Sequence, residues 1–231
     1  MNIGWNRPAI RRDPGLTMGS DHDHPGDHHH PGTEEDITLS QPARRLLAME
    51  ELLVEKGVIG ADDVRRVMDV IAARSPVDGA RVVARAWMDP AFKLRLLEDP
   101  RAALAEVGYP PVSGSKLAVV ENTERVHHLV VCSLCSCYPT SLLGPPPDWY
   151  KSFAYRSRAV VDPRGVMREF GLEFGEGVEV RVVDSAADLR YMVLPLRPEG
   201  TEGMAEEDLV ALVTRDSLVG VGVPNQPAVN P

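Results

Sequence analysis

The sequence predicts an α+β protein: a helical N-terminal half, then a layered α/β half. Three observations predict it. Apolar residues recur at helical spacing from about Gln41 to Val107, punctuated by Asp-Pro pairs. Beyond Tyr109 the texture changes to short β-branched runs separated by helical stretches. All three cysteines of the 231-residue chain fall between Cys132 and Cys137, just after one of those runs.

A first helix carries Leu46, Leu47, Met49, Leu52 and Leu53, with Gly57 as its stop. Ala61-Asp62-Asp63 opens a second, whose apolar face is Val64, Val67, Met68 and Ile71; an aspartate suits the positive end of its dipole. These stripes are expected to be core. A third helix runs from about Asp78 to Met88 on Ala80, Val83, Ala84 and Trp87. Asp89-Pro90 starts a fourth, with Phe92, Leu94, Leu96 and Leu97. Asp99-Pro100 starts a fifth, with Ala103, Leu104 and Val107, ended by Gly108. Lys116–Val120 and Val126–Val131 read as strands, and the second runs straight into the cysteines. Pro139–Trp149, with four prolines and a glycine, reads as a loop. Val161–Phe170 reads as a helix, Val178–Val183 and Arg190–Pro195 as strands, and Glu206–Asp216 as a last helix. The expected organisation is a tail over 1–36, a helical arm over 37–110, a metal-binding α/β domain over 111–223 and a tail over 224–231.

Composition excludes some functions. A net charge of −9 argues against general nucleic-acid binding and against docking on an anionic membrane. No apolar run approaches the roughly 18 residues that span a bilayer. Met1–Gly15 has no continuous apolar stretch, so no secretory signal is expected. Clustered cysteines without such a signal point to the reducing cytoplasm, where they bind metal or do chemistry more often than they form disulfides. Residues 1–36 are expected to be disordered. They hold Asp21-His22-Asp23-His24 and Asp27-His28-His29-His30, which reads either as a metal-collecting tail or as a solvated one.

In the run Val131-Cys132-Ser133-Leu134-Cys135-Ser136-Cys137-Tyr138 no fourth cysteine completes a tetrahedral sulfur site. His127 or His128 could serve as a fourth zinc ligand. A different geometry is also open. The Cys137 sulfur and its own backbone nitrogen close a five-membered chelate ring on one ion, and the nitrogens of Ser136 and Cys137 close another. The Cys135 sulfur and the Ser136 nitrogen close a six-membered ring. Those four atoms lie near a plane, Cys132 takes one axial position, and the other stays free for substrate. Amide nitrogen binds only when deprotonated, which favours a trivalent ion, and the intervening residue must be small, as Ser136 is. Metal-free buried thiols and an ordinary zinc site are the competing readings.

The run closely resembles the metal-binding signature V-C-[TS]-L-C-S-C of nitrile hydratase α subunits. The likeness extends to Gly79–Trp87, Trp149–Ser152, Tyr155–Arg158, Arg190–Pro195, Arg197–Gly203 and Val213–Asp216, and covers about 41–223. The resemblance implies a metal-bearing α subunit in an αβ heterodimer or α2β2 assembly, served by an activator or metallochaperone. The centre would be low-spin Co(III) or Fe(III), held by the sulfurs of Cys132, Cys135 and Cys137 and the amide nitrogens of Ser136 and Cys137. Cys135 would be oxidised to a sulfinic and Cys137 to a sulfenic acid, held by two β-subunit arginines. Cys137, Cys135 and Ser136 are the implied catalytic residues. The implied reaction is hydration of a nitrile to an amide, with hydroxide on the metal, a nearby water or the Cys137 sulfenate oxygen as nucleophile.

The chain departs from the family pattern in places. Tyr138 is cobalt-type and Ser133 iron-type, and cobalt is favoured. Thr140-Ser141 follows Tyr138-Pro139 where the family usually has Trp-Pro, Met204 replaces a tryptophan, and Leu94 stands where some iron-type members carry glutamine. Lys151, Tyr155, Arg156 and Arg158 are candidates for the subunit interface. The metal-bearing subunit of thiocyanate hydrolase, with the same claw and cobalt, is the nearest alternative. A non-catalytic metal-storage or metallochaperone protein is the alternative of another class.

Overall fold

The computed structural model describes residues 40–109 and 115–227. The tail over 1–36, with its His/Asp run, lies outside the described residues. The chain divides into two compact units, one ending at Asp69 and the other beginning at Val70.

The first unit holds helix α1 (Gln41–Glu55) and the start of α2 (Asp63–Ala72). The Ser40 hydroxyl accepts the Ala43 N–H at 3.4 Å to cap α1, and Gly57, at φ 64°, follows its end as read from sequence. The apolar stripes differ from expectation. Neither helix has a buried residue; Leu46 is 66% and Met68 59% exposed. Periodicity shows that a face is apolar, not which chain covers it.

The second unit begins with α3 (Pro76–Met88), α4 (Pro90–Glu98) and α5 (Pro100–Glu106). Each starts on a proline, whose missing N–H costs nothing in a first turn. Asp89 and Asp99 cap α4 and α5 by accepting the N–H of Phe92 at 2.9 Å and Ala102 at 3.1 Å. Next come β1 (Lys116–Glu121), β2 (Val126–Val131), α6 (Thr140–Leu143), α7 (Asp148–Lys151), α8 (Phe153–Val161), α9 (Pro163–Glu169), β3 (Glu179–Asp184), β4 (Leu189–Leu194), α10 (Glu206–Leu212) and α11 (Arg215–Val219).

Three readings are corrected here. The stretch Pro139–Trp149 holds α6 and the start of α7, each a single turn too short for a periodic signal. Helix α8 was not foreseen; Ser152 caps it through the Tyr155 N–H, and only Tyr155 and Ala159 along it are buried. The last helix is two, broken at Val213, where Thr214 and Ser217 form a reciprocal capping box for α11.

The strands form two parallel pairs, β1 with β4 and β2 with β3, with Val119 opposite Met192 and Val131 opposite Asp184. Parallel pairs need crossovers that cover them; α6–α9 lie between β2 and β3 in the chain. One core unites the pairs with the helices: Phe92, Leu96, Leu129, Tyr150, Tyr155, Met167, Met192 and Leu218 are fully buried in it. Ala84 on α3 meets Leu209 and Leu212 of α10 in a smaller cluster. Among the described residues, no helix is long and apolar enough to cross a membrane.

Candidate metal centre

Strand β2 delivers the cysteines. Val131, its last residue, is fully buried, and its carbonyl accepts the Ser185 N–H at 2.7 Å. Cys132 follows directly, 1% exposed, and the chain turns through Cys137 before α6 begins. The turn gathers the sulfurs. Cys132 and Cys135 Sγ lie 3.2 Å apart, and Cys135 and Cys137 Sγ 3.1 Å apart. All three fall within 4.8 Å of one another, the one such gathering of three metal-ligand side chains among the described residues. The Cys135 N–H donates to the Cys132 sulfur at 3.3 Å, closing the first half of the turn.

The three sites differ electrostatically. Cys135 is exposed, and hydrogen bonds from Cys137, then Cys132, lower its thiol pKa to about 7. The backbone N–H groups of Cys137 and Ser136 also point at the Cys135 sulfur and act in the same direction. Cys137 is buried, and burial, then its hydrogen bond to Cys135, pushes its thiol up to about 12. The Arg190 guanidinium opposes that rise. Arg190 Nη1 is buried with no hydrogen-bond partner, a cationic donor beside Cys137 left without an acceptor.

Several residues hold the turn rigid. Asp184, at the end of β3, accepts the Ser133 N–H at 2.9 Å and the Ser133 hydroxyl at 2.5 Å. Arg156 donates to the Ser133 carbonyl at 3.4 Å. The Tyr150 hydroxyl donates to the Cys137 carbonyl at 2.9 Å, and the Tyr155 hydroxyl to the Val130 carbonyl at 2.6 Å. Tyr138 packs edge-on to Tyr150 at 5.0 Å between ring centres. Sequence reasoning missed Asp184 and Tyr150. The signal for Asp184 was the pairing of β2 with β3, which spacing along the chain does not carry.

Other expectations resolve here. His127 and His128 do not join the cysteines. Asn122 Nδ2 lies 3.0 Å from His127 Nδ1, and His127 Nε2 lies 2.8 Å from the Gly220 carbonyl. Asn122 Oδ1 accepts the His128 N–H at 2.8 Å and lies 3.1 Å from His128 Nδ1. Both histidines are structural, because every ring nitrogen of His127 and the near one of His128 already has a partner. Tyr155 is fully buried, so it is a strut of the core rather than an interface residue. Lys151 pairs with Asp148 at 2.7 Å and Arg158 with Glu169 at 2.5 Å. Leu94 is 66% exposed and contributes no polar contact.

The donor set fits a metal. Three sulfurs converge, two backbone amides face the same turn, and one side opens on a cavity of about 720 Å3 walled by Cys135, Ser136, Cys137 and Thr140. A closed structural zinc site would need a fourth side-chain ligand, and the described residues bring none.

Comparison with known proteins agrees with this geometry. A family model described as nitrile hydratase, alpha chain, matches residues 40–222. The low-molecular weight cobalt-containing nitrile hydratase subunit alpha of Rhodococcus rhodochrous is 54% identical over 187 residues, 80% of this chain and 90% of that protein. A point mutant of thiocyanate hydrolase superposes with a TM-score of 0.75 at 42% identity, covering 83% of this chain and 93% of that one. A double histidine mutant of Fe-type nitrile hydratase from Comamonas testosteroni Ni1 superposes with a TM-score of 0.73 at 41% identity, covering 81% and 93%.

Proposed function

The chain belongs to the nitrile hydratase alpha-chain family, and from that premise we propose how its own residues hydrate a nitrile. It is the metal-bearing α subunit of an enzyme that converts a nitrile to the corresponding amide. The observation that carries the reading is the convergence of the Cys132, Cys135 and Cys137 sulfurs at the end of β2, with an open side. Its relatives include cobalt-containing and Fe-type enzymes, so a metal centre is the common property.

Within that reading, Cys132, Cys135 and Cys137 hold the ion by sulfur, and Ser136 and Cys137 by amide nitrogen. We favour Co(III) over Fe(III), on Tyr138 and on the cobalt-containing relative. When bound, the ion supplies the Lewis acidity that polarises the C≡N carbon. The chain's residues do the rest. Cys132 and Cys137 are buried while Cys135 is exposed, and the cavity meets the turn at Cys135, Ser136 and Cys137. Tyr150 and Asp184 fix the turn at its carbonyl and hydroxyl, so the sulfurs need not reorganise as charge develops. The unpartnered Arg190 donor beside Cys137 suits an anionic sulfur or sulfur-bound oxygen, which supports a sulfenate at Cys137; that group, and the sulfinate assigned to Cys135, would take their oxygens from an oxidant such as dioxygen. Water adds across the C≡N bond: its oxygen bonds carbon, and its protons end on the nitrogen of the amide.

The alpha naming of the family implies a β partner, and we assign the rest of the oxyanion contacts to two cationic β residues in an αβ or α2β2 enzyme of the cytoplasm. An activator or metallochaperone loads the ion. Metal analysis and intact mass of the purified αβ complex test this, with propionitrile and thiocyanate as alternative substrates. The expected result is one trivalent cobalt per α chain, oxygens added at Cys135 and Cys137, and amide from propionitrile. Hydrolysis of thiocyanate with no amide formed overturns it in favour of the thiocyanate hydrolase reading. Metal that leaves to a mild chelator with neither activity overturns it in favour of metal storage.

A further inference from the structure

We infer that Arg215 is a positioning residue for the metal turn: together with the Tyr138 hydroxyl it holds one buried water, which ties the start of α11 to the residue just after the claw. This role rests on the metal-bearing reading of the turn. Two polar atoms on the core side of the turn carry it. The Tyr138 hydroxyl oxygen and Arg215 Nε are each buried with no hydrogen-bond partner. Buried polar atoms are nearly always paired, with protein or with ordered water, so each of these needs an account.

The two residues come from elements that meet. Tyr138 is 3% exposed and shares one core with Leu143 of α6 and Leu218 of α11. A Cβ on Gly79 would run into Leu143 Cδ2 and Leu218 Cδ1 together, so α6 and α11 touch over that glycine. Tyr138 stands two residues before α6, and Arg215 is the first residue of α11. Burial raises the Tyr138 phenol above its ordinary pKa and the Arg215 charge opposes that rise, so the guanidinium lies within electrostatic reach of the ring. One water answers both orphans, since a buried water makes roughly two to four hydrogen bonds. Arg215 Nε–H donates to its oxygen, and the Tyr138 hydroxyl shares the second bond.

The bridge matters because of where Tyr138 sits. It is bonded to Cys137, and its ring packs edge-on to Tyr150 at 5.0 Å. Tyr150 in turn donates to the Cys137 carbonyl at 2.9 Å. Pinning the far end of the Tyr138 ring therefore steadies the exit of the turn, as Asp184 steadies Ser133 near its entry. Helix α11 is a firm anchor for this: the Thr214–Ser217 capping box closes it, and Leu218 and Val219 are buried.

The test uses the metal-loaded αβ complex, natural and with Tyr138→Phe, Arg215→Met and both substitutions together. A high-resolution crystal structure of the natural complex is examined between the two side chains. Metal loss to a chelator and the sulfur-to-metal absorption band are then followed across the series. We expect a water within hydrogen-bonding distance of both the Tyr138 hydroxyl and Arg215 Nε. Each single substitution is expected to speed metal loss by roughly tenfold and to shift the band. The double substitution should do no more than either single one, because both remove the same bridge. A gap with no water overturns the inference, and so do single effects that multiply in the double variant. So does a Tyr138→Phe complex whose metal loss and absorption match the natural one. Tyr138→Phe deletes one oxygen and keeps the ring, so it decides the matter where Arg215→Met fails to fold. A natural complex that holds no metal overturns the metal-bearing reading and the positioning role with it, whereas the outcomes above leave that reading in place.

Discussion

The two ends of strand β2 carry the same kind of residue to opposite ends. At its start, His127 and His128 are buried metal-ligand types, and Asn122 and the Gly220 carbonyl satisfy them. At its finish, Cys132, Cys135 and Cys137 come within hydrogen-bonding distance of one another and of little else. Asn122 cannot turn over to suit a protonated His127, because its oxygen already accepts the N–H of His128. So Nδ1 of His127 is the acceptor and Nε2 the donor to Gly220, and the ring is held neutral. The lesson is that ligand chemistry alone does not make a site. A residue becomes a ligand where the fold leaves its lone pairs unspent and gives them an opening to solvent.

The comparison breaks most directly by substitution at each end. Cys132→Ala, Cys135→Ala and Cys137→Ala are each expected to abolish both bound metal and amide formation, measured by metal analysis and nitrile turnover. His128→Ala is expected to keep the metal, and equal loss there would place the histidines in the site. Next in size is Gly220→Ala. Gly220 sits at φ 88°, and a Cβ would come 1.9 Å from the His128 carbonyl oxygen. Left-handed strain alone costs about 1–3 kcal/mol, so we expect a loss of at least about 2 kcal/mol in urea unfolding, with the metal site intact in the folded fraction. A loss near zero would mean the histidine end is soft.

Asp184→Ala removes the brace on Ser133 and is expected to weaken metal retention by about tenfold, as outer contacts to a metal site usually do. Chelator competition measures it; unchanged retention would show that the turn holds itself. The smallest effect concerns pH. Burial, more than the opposing Gly220 bond, holds the His127 pKa below its usual value, and repulsion from His128 when that ring is protonated acts in the same direction. A neutral buried histidine contributes stability that is present above the unfolded pKa of about 6.5 and is lost as pH falls below it, by at most about 1.4 kcal/mol per pH unit. Unfolding midpoints between pH 7.5 and 5 in the natural chain and in His127→Gln check this. The natural chain should lose more stability than the variant over that span, and parallel curves would exclude His127 as the cause.

How much of this was legible depended on whether the signal was local. The Asp-Pro starts of α4 and α5 could be read because a cap and its first turn span four residues. Single-turn helices such as α6 carry too few residues for a period. Helix α8 was lost because the reading gave the stretch between Trp149 and Val161 no element and took Tyr155, Arg156 and Arg158 as interface candidates, when Tyr155 is fully buried. The cysteine run was read as a site from spacing and resemblance. Its supports, Asp184 and Tyr150, are 51 residues and 13 residues away from the atoms they hold. Only the pairing of β2 with β3 and the packing of α7 bring them there. The apolar stripes of α1 and α2 were correctly seen as apolar and wrongly taken as covered within this chain.

The 51-residue separation between Ser133 and Asp184 also sets a clock. At roughly 5–20 residues per second, a ribosome finishes the claw about 3–10 seconds before it finishes the brace. During that interval three thiols exist with no β3 beside them, open to any thiophilic ion or oxidant in the cell. A loading factor that waits for the returned strand would deliver the ion to the finished turn, and premature capture would leave a chain that must fold around the wrong ion.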